Sequence, residues 1–377
     1  MIIISVHWNQ PINTDKNFNT KKNKILWVSG LILFLFSIAV MIVCSCLEHF
    51  ADIYSFYVAS KIRFFISYIT GWFYFSLFEL MIPIFVVLII GVFYFLLMKK
   101  LKVRTVLSVF VFCVGVLVFL FVNTFGVCYF CSPVDELMGF KRENISRELL
   151  YHTSGYIEKK LENSLDNVSF AKDGASINNH NWDNTNRLID NGYEALRRKY
   201  TFISDSKSHA KKIALSFPMT YTHISGIFIP FTCEANVNTN YPDYVVAFSI
   251  AHEKAHQRGI ASEDEANFIA FLALINSDDE YLEYCAYMNM YEYFLDSMFK
   301  YDKEMYYYLL DNSDERVLGE MRSYYSFFEK YRGSVASKLA DGVNDTYIKM
   351  MGDSDGVDSY GMVVELVSAY IKKETLP

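Results

Sequence analysis

The sequence predicts a protein in two parts: an α-helical membrane region of three transmembrane helices, then a mainly α (α+β) extracytoplasmic domain. Three observations predict it. The N-terminal third holds three nearly uncharged apolar runs, each close to the ~20 residues that cross a bilayer. Lys and Arg gather on one side of those runs. After them the composition becomes that of a water-soluble helical domain. The expected division is 1–24 as a cytoplasmic N-terminus, 25–127 as the membrane region and 128–377 as the extracytoplasmic domain.

The first run is Ile25–Cys46, the second Phe78–Met98 and the third Thr105–Phe125. Pro83 falls in the first turns of the second, where a missing N–H matters least. The first run is longer than a signal-peptide core, and no small-x-small cleavage site follows it. Val43–Cys46 (VCSC) only faintly resembles a lipoprotein cleavage box. Lys16, Lys21, Lys22 and Lys24 precede the first run, and Lys99, Lys100, Lys102 and Arg104 join the second to the third. The positive-inside rule places both basic segments in the cytoplasm and everything after Val127 outside, in a multi-pass protein of the cell membrane. Between the first two runs, 47–74 alternates apolar and polar residues at helical spacing. It reads as an aromatic-rich interfacial helix, or else as a packed hairpin.

Overall charge narrows the partners. The chain has 377 residues with 35 Lys and Arg against 42 Asp and Glu, a formal charge of −7. Nucleic acid is excluded, because phosphate binding requires clustered cations. The expected partners are the lipid bilayer and a peptide or protein substrate. The 7 cysteines form no disulfide framework. Cys128 and Cys131 make a CxxC after the third run, read as interfacial thiols or a local disulfide, since neither a βαβ redox context nor a second ligand pair accompanies them.

In the soluble part, Asp135–Asn163 is periodic and charged, 167–181 is loop-like, and Trp182–Tyr200 is a helix. Lys212–Phe217 and Gly226–Thr232 have strand character, and Pro230 makes the latter an edge or bulged strand.

Tyr241–Gly259 reads YPDYVVAFSIAHEKAHQRG, with Pro242 and Gly259 as helix punctuation. His252 and His256 lie one turn apart and project from one face. This HExxH spacing lets two imidazoles share one zinc ion, while Glu253 takes a proton from the attacking water and returns it to the leaving amine. A solvated surface helix carries the same five letters by chance. The apolar flanks VVAFSIA and NFIAFLALI argue for burial instead, where His and Glu need partners.

A third ligand is needed. Ser262 occupies the third-ligand position of the longer HExxHxxGxxH motif, and serine ligates poorly. Ser262 and Glu265 form an expected capping box that starts a second helix. Glu263 and Glu265 both remain candidates, and Asn267 stacks one turn beyond Glu263. The E-x-x-A-N pattern resembles the second helix of gluzincins. That resemblance implies Glu263 as ligand and Asn267, in place of the usual Asp, as the group that orients a ligand histidine. Upstream, Ile224–Asn238 is an expected edge strand beside the HExxH helix, to which peptides can add by main-chain pairing. Glu234, Asn236 and Asn238 on it read equally as substrate contacts and as caps of the following turn.

Several segments together are similar to a bacterial membrane family, DUF3810: IYSFYVASKIRFFISYITGWFYFSLFEL, GIFIPFTCEANVN, IAHEKAHQRGIASEDEANF and SYGMVVELVSAY. The resemblance implies a multi-span protein with a zincin-like domain, His252, His256 and Glu263 as metal ligands and Glu253 as general base. Ser359, Tyr360 and Gly361 also match a recurring family segment, and Tyr360 is a candidate oxyanion donor or a core tyrosine. The expectation is a membrane-anchored zinc metalloendopeptidase. A non-enzymatic membrane sensor and a structural zinc domain are the alternatives.

Overall fold

The computed structural model describes residues 14–142, 145–334, 336–338, 342 and 362–375. Among the described residues, three helices are long and apolar enough to cross a membrane: α1 (Thr14–Cys46, with the candidate span over Thr20–Cys46), α4 (Leu77–Leu97) and α5 (Val103–Thr124). α4 and α5 match the second and third apolar runs to within two residues at each end, and α1 ends with the first run at Cys46 but begins eleven residues earlier, at Thr14. α1 packs on α5 where two glycines meet. A Cβ on Gly115 would fall 2.2 Å from the carbonyl oxygen of Gly30, so only hydrogen permits the approach. No residue of α4 is buried.

Between α1 and α4 run α2 (Glu48–Tyr54), one π turn (Ser55–Ala59) and α3 (Ser60–Thr70). This confirms helix rather than a hairpin, and its amphipathicity is inverted. Ser55, Ala59, Arg63, Ser67 and Thr70 are buried, while Tyr57, Phe65, Tyr68 and Trp72 are exposed. The small side chains let the helix press against the rest of the molecule.

Beyond α5 come α6 (Val134–Leu137), α7 (Arg147–Ser164), a hairpin of β1 (Ser169–Phe170) and β2 (Ser176–Ile177), and α8 (Trp182–Lys199). The periodic stretch expected from Asp135 is not one helix. Gly139 adopts φ +74°, and the Asp135 carboxylate accepts the Arg142 N–H at 2.6 Å, closing the chain into a turn. Next are β3 (Lys211–Lys212), α9 (Ser216–Thr220), β4 (Gly226–Ile229) and β5 (Glu234–Val237), forming a sheet in the order β3-β5-β4. β3 runs parallel to β5 and β4 antiparallel, with Ile227 opposite Asn236. The strand expected over Lys212–Phe217 stops early because the Glu79 carboxylate takes the N–H groups of Ala214 (2.8 Å) and Leu215 (3.0 Å) from the ladder.

α10 (Asp243–Gln257) packs against the sheet and against α11 (Glu263–Ile275). No residue from Phe268 to Leu274 is more than 1% exposed, so α11 is buried all round, as its uniformly apolar run requires. Among the described residues α12 (Glu280–Tyr301), α13 (Lys303–Asn312), α14 (Glu315–Glu329) and a last helix, Val363–Thr375, follow. The core unites α7, α8, α10, α11, α12 and that last helix.

Candidate metal centre

Helix α10 begins after Pro242, whose fixed φ suits a helix entry, and ends before Gly259 at φ +99°, which turns the chain into α11. The turn brings Glu263, the first residue of α11, back over the His face of α10. The Nε2 atoms of His252 and His256 lie 3.1 Å apart. Glu263 Oε2 is 3.2 Å from the first and 3.6 Å from the second. Donors about 2.1 Å from one tetrahedral ion stand about 3.4 Å from each other. The triangle therefore fits a single divalent cation, and these three residues form the one such His/Cys/Asp/Glu cluster among the described residues.

The outer nitrogens are fixed as well. His252 Nδ1 lies 2.8 Å from Asn267 Oδ1, and His256 Nδ1 lies 2.8 Å from the carbonyl of Ile260. Both contacts favour the tautomer that leaves Nε2 free for a metal.

The two candidate glutamates separate clearly. Glu265 points away and accepts the Val134 N–H at 2.8 Å. The capping box expected with Ser262 is consequently not formed: Ser262 makes no cap hydrogen bond, and its hydroxyl meets Asp264 instead. Burial, then the charge of Asp264, pushes Glu265 up to about 8.

Charge at the centre is tightly balanced. Burial pushes the Glu253 carboxyl up to about 7 against the pull of His252 and His256. Burial opposes protonation of His256, but the Glu263 carboxylate outweighs it and raises the imidazole to about 9. Glu263 is drawn well below the usual carboxylate range: its burial is overcome by His256 and His252. A metal competes with protons for these same atoms.

A cavity of about 1090 Å³ lies over the triangle. Glu253 sits on its floor, and β4, the sheet edge, forms one wall. At Gly226 a Cβ would meet Glu253 Oε1 at 2.5 Å, so the strand backbone rests on this carboxylate. The opposite wall is Asn289, Glu292, Tyr293 and Asp296 of α12. These four share one helix face at i, i+3, i+4 and i+7, a polar stripe on a largely buried helix that the sequence reading passed over. Tyr293 lines this wall together with Glu263 and Asn267, and Asn267 Nδ2 is buried without a hydrogen-bond partner among the described residues. Phe78 of α4, Phe121 of α5 and the following Phe125 line its apolar end. No local pattern announces those three.

Of the strand residues offered as substrate contacts, none lines the cavity. Glu234 is fully buried, paired with Lys211, and accepts the N–H groups of Leu77 (3.1 Å) and Phe78 (3.2 Å) at the start of α4. Asn236 bonds the carbonyls of Ile227 and Glu234, and Asn238 bonds Thr220 and the carbonyl of Ile224. They hold the turns around the sheet.

Cys128 and Cys131 are free thiols, so the local disulfide is not formed. Cys128 Sγ is 3.2 Å from the buried guanidinium of Arg63, which also donates to the Thr124 carbonyl (2.8 Å) and to Ser204 Oγ (3.3 Å). Tyr360, with Ser359 and Gly361, lies outside the described residues.

The family model described as "Protein of unknown function (DUF3810)" matches residues 54–368, and the chain belongs to that family. No curated protein and no solved structure matches it.

Proposed function

We propose that this member of the DUF3810 family is a membrane-anchored zinc metalloendopeptidase with a zincin-like domain outside the cytoplasm. One observation carries the reading: the three-donor triangle of His252, His256 and Glu263 on the floor of a cavity, with Glu253 beside it. A zinc ion bound there would polarise a scissile carbonyl and acidify a water. His252, His256 and Glu263 would hold it, oriented by Asn267 and the Ile260 carbonyl.

Three protein donors and an open cavity support catalysis over a structural site, which closes its coordination with a fourth protein ligand. Glu253 accepts the proton of the attacking water, and burial has brought its carboxyl near neutrality, where it can also return that proton to the leaving amine. The free edge of β4 offers main-chain hydrogen bonds to an extended peptide laid across the triad. Tyr293, against Glu263 and Asn267, offers a phenol O–H for the developing oxyanion, the role that the sequence reading gave to Tyr360.

Three bilayer crossings with the basic loops inside are part of the proposal, and the length and hydropathy of α1, α4 and α5 support them. A second reading, a non-enzymatic sensor, draws on Arg63. Its guanidinium joins the end of α5 to Ser204, whose hydroxyl bonds the carbonyl of Arg258 at the end of α10.

The test is metal analysis of the full chain in detergent, with peptide-library cleavage alongside. Wild type is expected to hold one zinc and to cleave. His256→Ala should lose both properties, and Glu253→Gln should keep zinc and lose turnover. A wild-type chain without stoichiometric metal ends the proposal. Full signalling by Glu253→Gln in cells would favour the sensor.

A further inference from the structure

We propose that the substrates are membrane-anchored polypeptides that enter sideways, between α4 and the α1–α5 pair, and are cut just outside the bilayer. The inference rests on the peptidase reading and on the membrane crossings proposed above.

Chain direction places the C-terminal ends of α1 and α5 and the N-terminal end of α4 at one side. The cavity lining reaches that side. Phe78 lies in the first turn of α4, Phe121 in the last turn of α5, and both line the same cavity as His252 and His256. The Phe125 ring is 5.7 Å from the His256 ring, edge to face. One aromatic ring therefore separates the end of a spanning helix from a metal ligand.

The spans are unevenly packed. α1 and α5 touch backbone to backbone at Gly30 and Gly115. α4 buries nothing along its length and is held at its tip, by Glu234 on Leu77 and Phe78 and by Glu79 on Ala214 and Leu215. A helix held at that tip and joined to α5 only through residues 98–102, with exposed sides, leaves room beside α5 for a guest helix. Among membrane helices such space is filled by lipid or by another helix.

Depth and lining select the helix. α5 has 22 residues, a length of about 33 Å against a hydrocarbon core of about 30 Å, so its last turn marks the bilayer boundary. A chain leaving that boundary extended, at about 3.3 Å per residue, reaches the triad in about two to four residues. The cavity that receives it is lined by these phenylalanines, which belong to the spanning helices and their ends, and by the polar stripe of Asn289, Glu292, Tyr293 and Asp296 on α12. A juxtamembrane segment has the same two surfaces, apolar and polar. A soluble peptide leaves a phenyl-lined entrance facing lipid unused.

The test uses the full chain in phosphatidylcholine/phosphatidylglycerol vesicles. One probe is a random peptide library of about ten positions fused to a Leu/Ala span of about 20 residues. The other is the same library without the span. Glu253→Gln chains carry photoreactive benzoylphenylalanine at position 78 or, separately, at 121, so that a poorly folded variant has a substitute.

The expected result is at least tenfold greater cross-linking of the spanned library at either position. Wild-type cuts should cluster within about four residues of the span. Equal capture of both libraries, or cross-links only to lipid or to a second copy of the chain, overturns the lateral route. Cleavage of the free library with no preference for the spanned one also overturns it, while leaving the peptidase reading standing. Capture of the spanned library with no cleavage of either supports the route and overturns the peptidase reading instead.

Discussion

Gly226 and Glu253 are in contact across the sheet–helix junction: the space a side chain would need at 226 is filled by the Glu253 carboxylate, with Oε1 2.5 Å and Cγ 2.7 Å from an ideal Cβ. Gly226→Ala is therefore expected to turn the carboxylate out of line with the triad. Turnover should fall at least about tenfold, the scale of a misplaced acid–base group, with zinc content unchanged. Steady-state kinetics beside metal analysis separates the two. Unchanged kcat would mean that Glu253 tolerates displacement.

Glu263 and Glu265 make a controlled pair, two residues apart on one helix with different surroundings. Glu263→Gln is expected to lose stoichiometric zinc. Glu265→Gln should retain it, because its carboxyl serves the Val134 N–H and burial raises its pKa. Metal-to-protein ratios after gel filtration decide this. Zinc loss in the Glu265 variant alone would reverse the ligand assignment.

Asn267 accepts from His252 through Oδ1 and so fixes the imidazole. Asn267→Ala should weaken zinc binding by about 10–100-fold, as for other groups that orient a ligand. Asn267→Asp should restore affinity. Chelator competition measures both variants, and an unweakened Ala variant would show that the histidine orients itself.

Lys211 and Glu234 form an ion pair with both side chains 0% exposed. Glu234→Ala strands a buried ammonium and removes the acceptors for the first turn of α4. It is expected to cost about 3–5 kcal/mol, and the double variant Lys211→Met/Glu234→Gln should regain part of that. Thermal melts in detergent report it. No loss in Glu234→Ala would mean that water reaches the site.

The apolar runs that became α1, α4 and α5, and the local order of Pro242, His252, Glu253, His256 and Gly259, were legible in the sequence. Length, hydropathy and helical period fix those features within a few residues of each other, wherever the rest of the chain goes. Local pattern also marked β4 as an edge strand.

Contacts made from afar decided the remainder. Glu79, 135 positions away, stops β3 by taking the Ala214 N–H. The Val134 N–H claims Glu265 and leaves Glu263 to face the histidines, although both glutamates open the same helix. Glu234 went to a helix terminus rather than to a substrate path. A hydrogen bond depends on where two groups meet in space, and periodicity carries no record of that. The spacing of His252, Glu253 and His256 could be read from the chain alone, because one helical turn fixes it; only the packing of distant helices brought Phe78, Phe121 and Phe125 to the lining of one cavity.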